Sequence, residues 1–187
     1  MKAENFGEFV VVEDFLTPEE AKQMADTFIA GAQKDEGDTR HGYANYPLFG
    51  WENLDVWFDF DPNDKISAMV DYCIKFFTER YPMEGSFRLD RSGGILMSEG
   101  AWLPAHADQD MDEEGNYIGG VKSYICSMLL NDDYDGGELY FDELLKYTKP
   151  KAGSLVLFPG YCTRHGVRAI TKGTRITVLS VFHEITA

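Results

Sequence analysis

The sequence predicts an α+β fold, and three observations carry that expectation. Two stretches in the first half repeat their apolar residues with the 3.6-residue period of amphipathic helices. From residue 87 onward the pattern changes to short β-rich runs separated by turn signals. No strand–helix alternation supports a doubly wound sheet. Helices first and many strands afterwards point to a sandwich or barrel packed on the helices.

Each element has a local reason. The run "FVVVEDF" near the start reads as a first strand, with acids close to its short apolar stretch and no signal-peptide architecture. "TPEEAKQMADTFIAGA" then opens on Thr17, Pro18 and Glu20, a capping box with proline at the first helical position. Ala21, Met24, Ala25, Phe28, Ile29 and Ala32 fall on one face of this helix. A second helix fits "PNDKISAMVDYCIKFFTERY", with Ile66, Met69, Val70, Cys73, Phe77 and Tyr81 on one side. Between the helices, "DTRHGYANYPLFGWENLDVWFDF" has no clear period and reads as a loop region, where substrate contacts are common. The β-rich runs that follow are "FRLDRSGGILMSE", "KSYICSMLLN", "GELYFD", "GSLVLFPG", "HGVRAI" and "TRITVLSVFHE". The segment "NDDYDGGE" fails the spacing of a calcium loop and reads as a turn in which Gly136 and Gly137 supply positive φ.

Bulk properties narrow the function classes. The chain has 187 residues, enough for one domain with a sizeable core. Its hydrophobic fraction of 44% is globular, and no apolar run approaches the roughly 18 residues of a membrane span. A net charge of −15 and the absence of a basic stripe argue against nucleic acid. Cys73, Cys126 and Cys162 form neither a disulfide framework nor a metal knuckle, which points to free thiols and a cytoplasmic setting. Nothing in the pattern sets the oligomeric state.

The chemistry begins at "HAD", residues 106–108. Residues at i and i+2 share one face of a strand, so His106 and Asp108 can be two ligands of one metal. A non-haem Fe(II) site needs a second histidine, and His41, His165 and His183 are the candidates. Ten positions after His165 stands Arg175, whose planar guanidinium suits a carboxylate. If the turn "TKGT" centres near Lys172, Arg175 faces the region of Ala169, roughly 13 Å of strand from His165. Thr177 shares the Arg175 face and can add a hydroxyl.

These residues, with "MLLNDDYDGGELYF", "KPKAGSLVLFPG" and "TKGTR", occur in an order that resembles the 2-oxoglutarate- and Fe(II)-dependent oxygenases, specifically their prolyl 4-hydroxylase-like branch. The resemblance spans nearly the whole chain and is strongest from Gly100 to Phe182. It implies a double-stranded β-helix, or jelly roll, with N-terminal helices packed on one sheet. The whole of 1–187 would be one oxygenase domain, helical to about 86 and jelly roll from about 87. Iron would be held by His106, Asp108 and His165. Arg175 would pair with the distal carboxylate of 2-oxoglutarate, with Thr177 beside it. The implied reaction couples decarboxylation of 2-oxoglutarate by O2 to substrate hydroxylation, with ascorbate as an optional reductant. Asp108 favours hydroxylation over halogenation, since related halogenases lack that carboxylate.

The chain departs from the pattern at two places. Leu96 and Met97 stand near where many such proteins carry a tyrosine before the first ligand, and Leu129 stands where another precedes Leu-Asn. Tyr124 and Ser127 are the replacements in reach, and strand alternation lets only one point inward. A prolyl residue in a peptide or protein is the leading substrate, with a free amino acid or small metabolite as the alternative. Arg91, Trp102, Tyr43, Tyr46 and Trp51 are candidates to line its pocket. The acidic run "DQDMDEEGNYIGG" reads as a loop at the pocket mouth, where Asp110, Asp112, Glu113 and Glu114 would attract a basic peptide. Two rival classes keep the same residues: a zinc hydrolase, which has no need of Arg175, and a silent jelly-roll binding module. His183 reads as structural.

Overall fold

A computed structural model describes residues 2–5, 9–32, 48–50, 62–81, 85–108 and 122–186. His41, Tyr43, Tyr46, Trp51, Asp110, Asp112, Glu113 and Glu114 lie outside the described residues, as does the side chain of Arg91.

Along the chain come β1 (Lys2–Asn5), β2 (Val10–Glu13), α1 (Pro18–Ala32), β3 (Leu48–Gly50), α2 (Pro62–Arg80), β4 (Gly85–Ser98) and β5 (Leu103–His106). Next are β6 (Ser123–Leu129), β7 (Asp135–Gly136), β8 (Leu139–Phe141) and β9 (Lys146–Thr148). The last are β10 (Leu155–Phe158), β11 (His165–Val167), β12 (Ile170–Lys172) and β13 (Thr174–Thr186). A seven-stranded sheet is ordered β1-β2-β10-β6-β13-β4-β3, and a four-stranded sheet is ordered β5-β11-β8-β9. A short β12-β7 pair stands apart from both. The pairings are antiparallel, and β13 carries the longest of them, running beside β4 from Thr174 to Thr186.

Strand alternation divides the larger sheet into two buried faces. Tyr124, Cys126 and Met128 of β6, with Ile176, Val178 and Phe182 of β13, pack against Ala21, Met24, Met69, Cys73 and Phe77 of the helices. Ile125 and Leu129 of β6, Val181 of β13, Val156 and Phe158 of β10, and Ile95 and Met97 of β4 face the other way. There they meet Leu139 and Phe141 of β8 and Val167 of β11, in the smaller sheet. Two sheets enclosing one interior, with the helices outside one of them, is the jelly-roll arrangement the resemblance implied.

The local signals hold at most points. The capping box forms, with Thr17 N–H donating to Glu20 Oε2 at 2.9 Å and Glu20 N–H donating to Thr17 Oγ1 at 3.2 Å. Gly136 and Gly137 have φ of 72° and 68° at the expected turn. Among the described residues no helix is long and apolar enough to cross a membrane.

Three expectations change. Ile29, assigned to the core face of α1, is 37% exposed. "HGVRAI" is two strands in different sheets rather than one run. Arg175 therefore does not face Ala169 across a hairpin. Its register partner is Met97 in β4, because Gly173, with φ of 80°, turns the chain out of the β12-β7 pair and into the larger sheet.

Candidate active site

His106 ends β5 and His165 begins β11, and the two are register partners in the smaller sheet. Their rings lie with centroids 4.6 Å apart. Asp108 is not on the strand as expected but in the bend just past it. It still reaches the same point: His106 Nε2 lies 3.6 Å from Asp108 Oδ1, and His165 Nε2 lies 3.8 Å from Oδ2. One ligand atom from each of the three falls within 4.8 Å of the others, a group that could hold a metal ion. His41 lies outside the described residues, and His183 pairs instead with Asp90 at 3.6 Å.

The backbone sets both imidazoles. His106 Nδ1 sits 2.9 Å from Pro104 O, and His165 Nδ1 sits 2.9 Å from Thr163 O. A carbonyl only accepts, so each Nδ1 carries the proton and each Nε2 presents a lone pair toward Asp108. That is the tautomer a metal-binding histidine requires. The two rings differ in environment. The Asp108 carboxylate, which accepts a hydrogen bond from the protonated ring, holds the His106 pKa above the ordinary histidine value. Burial pushes that of His165 below it, which favours the neutral ligand form. His165 stacks edge-on against Phe158 at 4.5 Å, and Phe158 in turn meets Phe141.

Asp108 is held by Gly160. Its N–H donates to Gly160 O at 2.9 Å, and a Cβ built on Gly160 would lie 2.0 Å from Asp108 Oδ2. Sequence reading did not single out Gly160. Its only signal was its place between the Pro159 turn and the His165 strand.

Arg175 and Thr177 lie on the interior side of β13, 4% and 1% exposed, and Arg175 Nη1 donates to Thr177 Oγ1 at 3.3 Å. The expectation that they share a face holds. Of the two proposed replacements for the missing tyrosines, Tyr124 packs with the helices and Ser127 takes the interior face with Ile125 and Leu129. Trp102 is 56% exposed beside β5. Asn131, also unforeseen, clamps the start of β13: its amide donates to Thr174 O at 2.7 Å and accepts from Ile176 N–H at 2.8 Å. Both bonds flank Arg175.

The donor set fits a divalent cation that prefers nitrogen and oxygen ligands with open positions left over. An Arg on the opposite wall of the same interior fits a carboxylate.

Comparison with known proteins points the same way. The profile of the 2OG-Fe(II) oxygenase superfamily matches residues 94–183. Prolyl 3-hydroxylase 2 of Mus musculus is 37% identical over 90 residues, 40% of this chain and 12% of that protein, so the chain spans only a small part of this relative. A PKHD-type hydroxylase of Verminephrobacter eiseniae is 27% identical over 176 residues, covering 89% of this chain and 74% of that one. Among solved structures, a Pseudomonas putida prolyl-4-hydroxylase superposes with a TM-score of 0.72 at 17% identity, covering 96% and 94% of the two chains. The viral collagen prolyl hydroxylase of Paramecium Bursaria Chlorella virus-1, in its 2OG complex, gives 0.70 at 17% identity over 96% and 98%. That profile covers both histidines and the aspartate, so residues 94–183 are similar to the 2-oxoglutarate/Fe(II)-dependent oxygenases, and the chain shares its fold with the solved prolyl hydroxylase structures.

Proposed function

We propose that residues 1–187 act as one oxygenase domain that hydroxylates a prolyl residue in a peptide or protein. One observation carries the assignment of the site: two imidazole Nε2 atoms converge on a single carboxylate inside the interior that also buries Arg175. His106, Asp108 and His165 hold Fe(II). Arg175 takes the distal carboxylate of 2-oxoglutarate, and Thr177 steadies the guanidinium by accepting its hydrogen bond. Bound iron supplies the activation of O2 and the coupled decarboxylation of 2-oxoglutarate to succinate.

The protein's part is positioning. The carbonyls of Pro104 and Thr163 fix the imidazoles, and Gly160 fixes the carboxylate. Phe158, Phe141 and Leu129 line the interior with apolar surface that keeps water from the reacting centre. Arg175 is already desolvated, so an arriving carboxylate meets a cation in a low-dielectric site, where the pairing is stronger than in water. The prolyl assignment draws on the relatives, which include prolyl 3- and 4-hydroxylases by name.

The test is succinate formation with Fe(II), 2-oxoglutarate and O2, comparing the wild type with His106→Ala and Arg175→Ala across prolyl peptides, free proline and other amino acids. Peptide-stimulated turnover that needs both residues is expected. Stimulation by free amino acids alone would overturn the peptide substrate. Turnover unaffected by either substitution would overturn the site.

A further inference from the structure

The smaller sheet keeps one face for the interior and turns the other to solvent. Leu139, Phe141 and Val167 point inward. Alternation therefore puts Tyr140 outside, flanked by Glu138 and Asp142, and Gly166 outside, flanked by the exposed Arg164 and Arg168. Tyr147, the register partner of Tyr140, is 63% exposed, and Trp102, next to β5, is 56% exposed. Leu145, at the β8–β9 turn, is 89% exposed and holds φ of 50°, a left-handed conformation in which a leucine is strained. These are three of the five large hydrophobic side chains exposed among the described residues, so exposed apolar surface gathers at this sheet. Trp, Tyr and Arg are also the side chains that dominate the energy of protein–protein contacts.

The charges here are placed to pair and do not. Asp142 N–H donates to Arg164 O, and Arg168 N–H donates to Glu138 O, so each arginine stands opposite an acid across β11 and β8. Opposite charges at such positions attract. Yet Arg164 reaches the other way, to Ala105 O at 2.9 Å, and the Arg168 Cζ lies 4.9 Å from the centroid of the Tyr147 ring on β9. Among the described residues none of the four makes an ion pair. The two rows balance one another, although the whole chain carries −15 and two copies repel over most of their surface. The run from Leu144 to His183, which supplies β9 and β11, contains no Asp or Glu. This sheet is therefore where a second acidic chain meets least repulsion.

We propose that this face is the contact between two copies of the chain, smaller sheet on smaller sheet. A two-fold axis parallel to the strands, midway between β11 and β8, exchanges the two rows. It sets each Arg164 over the partner's Asp142 and each Arg168 over the partner's Glu138. Every charge of the face then gains an opposite. Tyr140 lies flat across β11, where a Cβ on Gly166 would be 2.7 Å from its Cζ, and with Tyr147 it forms an even centre for the contact. The strands are only three or four residues long, so the covered area is small and the dimer is weak.

Sedimentation velocity on the full chain, over roughly 1–100 μM protein, tests this. The expected result is a wild-type dimer that dissociates on dilution and weakens as salt screens the pairs. Arg168→Glu and Glu138→Arg should each weaken dimerisation about tenfold or more, because like charges then meet across the axis, while melting temperatures stay near wild type. Tyr147→Ser, at the exposed centre, should weaken it too and serves if a charge reversal fails to fold. Mixing the two charge variants is the sharpest arm. Arg168→Glu leaves two acids at positions 138 and 168, and Glu138→Arg leaves two arginines there, so a mixed pair is complementary at both contacts. It should dimerise where neither variant does alone, and no local structural defect is repaired by mixing. A wild type that stays monomeric throughout the range would overturn the proposal. A dimer indifferent to all three substitutions would overturn this face as its contact. Loss in both charge variants without recovery on mixing would overturn the two-fold arrangement.

Discussion

The two ends of the site are built by opposite means. The metal corner is made at strand ends: His106 closes β5, His165 opens β11, and Asp108 sits in a bend beyond any strand. Its groups are oriented by nearby backbone carbonyls, at 2.9 Å in each case. The anchor end is made in the body of the larger sheet, with Arg175 and Thr177 buried early in β13 between β4 and β6. Strand ends and bends hold ligands by local hydrogen bonds, whereas a mid-sheet residue is held by everything packed on both faces of its sheet. The metal corner should therefore fail through single contacts. The anchor should fail only with the sheet.

The largest expected effect comes from the ligands themselves. Asp108→Ala should remove iron binding, and turnover should fall by more than the roughly 100-fold that loss of a supporting contact costs a metal site. Its circular dichroism and melting temperature should stay near wild type, because Asp108 lies outside the ladder. Measured iron content near one per chain would break the assignment. Gly160→Ala tests the same corner from behind. The new methyl group cannot coexist with Asp108 where it stands, since its Cβ would lie 2.0 Å from Oδ2 and 2.6 Å from Ile125 Cγ1. Iron affinity should drop roughly 10–100-fold. Metal-free binding probes at the anchor, such as a dicarboxylate protecting Arg175 from glyoxal modification, should not change.

How much of this was legible follows the same division. Two of the ligands were readable because they are local: "HAD" places His106 and Asp108, whereas His165 was one of three candidate histidines until its order with "MLLN" and "TKGTR" resembled a family. The helices were readable from their period and the Thr17 box. The register of Arg175 was not. Which strand β13 pairs with is decided by Gly173 and by two alternating faces that fill different cores, a contest of long-range packing that no window of sequence contains. Gly160 was missed because its role is an absence of side chain.

The anchor end predicts a different failure. Phe77 of α2 is fully buried against Phe87, Tyr124 and Phe182, which come from β4, β6 and β13. Phe77→Ala should cost about 3–5 kcal/mol of stability, by lost transfer energy and the cavity left behind. It touches no ligand, so the folded protein should keep its iron affinity, while binding of 2-oxoglutarate should weaken at temperatures where the larger sheet begins to open. Denaturant titration and calorimetry at two temperatures would measure this. Equal loss of iron and cosubstrate affinity would erase the contrast between the two ends.

The smallest effect belongs to the outside of the smaller sheet. Tyr140 crosses behind β11 at Gly166, where a Cβ would lie 2.7 Å from the ring, and its hydroxyl donates to Leu103 O at 3.4 Å. At that length the hydrogen bond is weak, and Leu103 is the residue just before Pro104, whose carbonyl is the one that orients His106. If the ring alone backs the ligand strand, Tyr140→Phe keeps that support. The expected cost is then under about 1 kcal/mol in stability, with iron affinity within twofold of wild type. A larger loss of iron affinity at unchanged stability would mean that the hydroxyl holds β5 in place for His106, and the local control of the metal corner would extend one strand further than its visible carbonyl contacts.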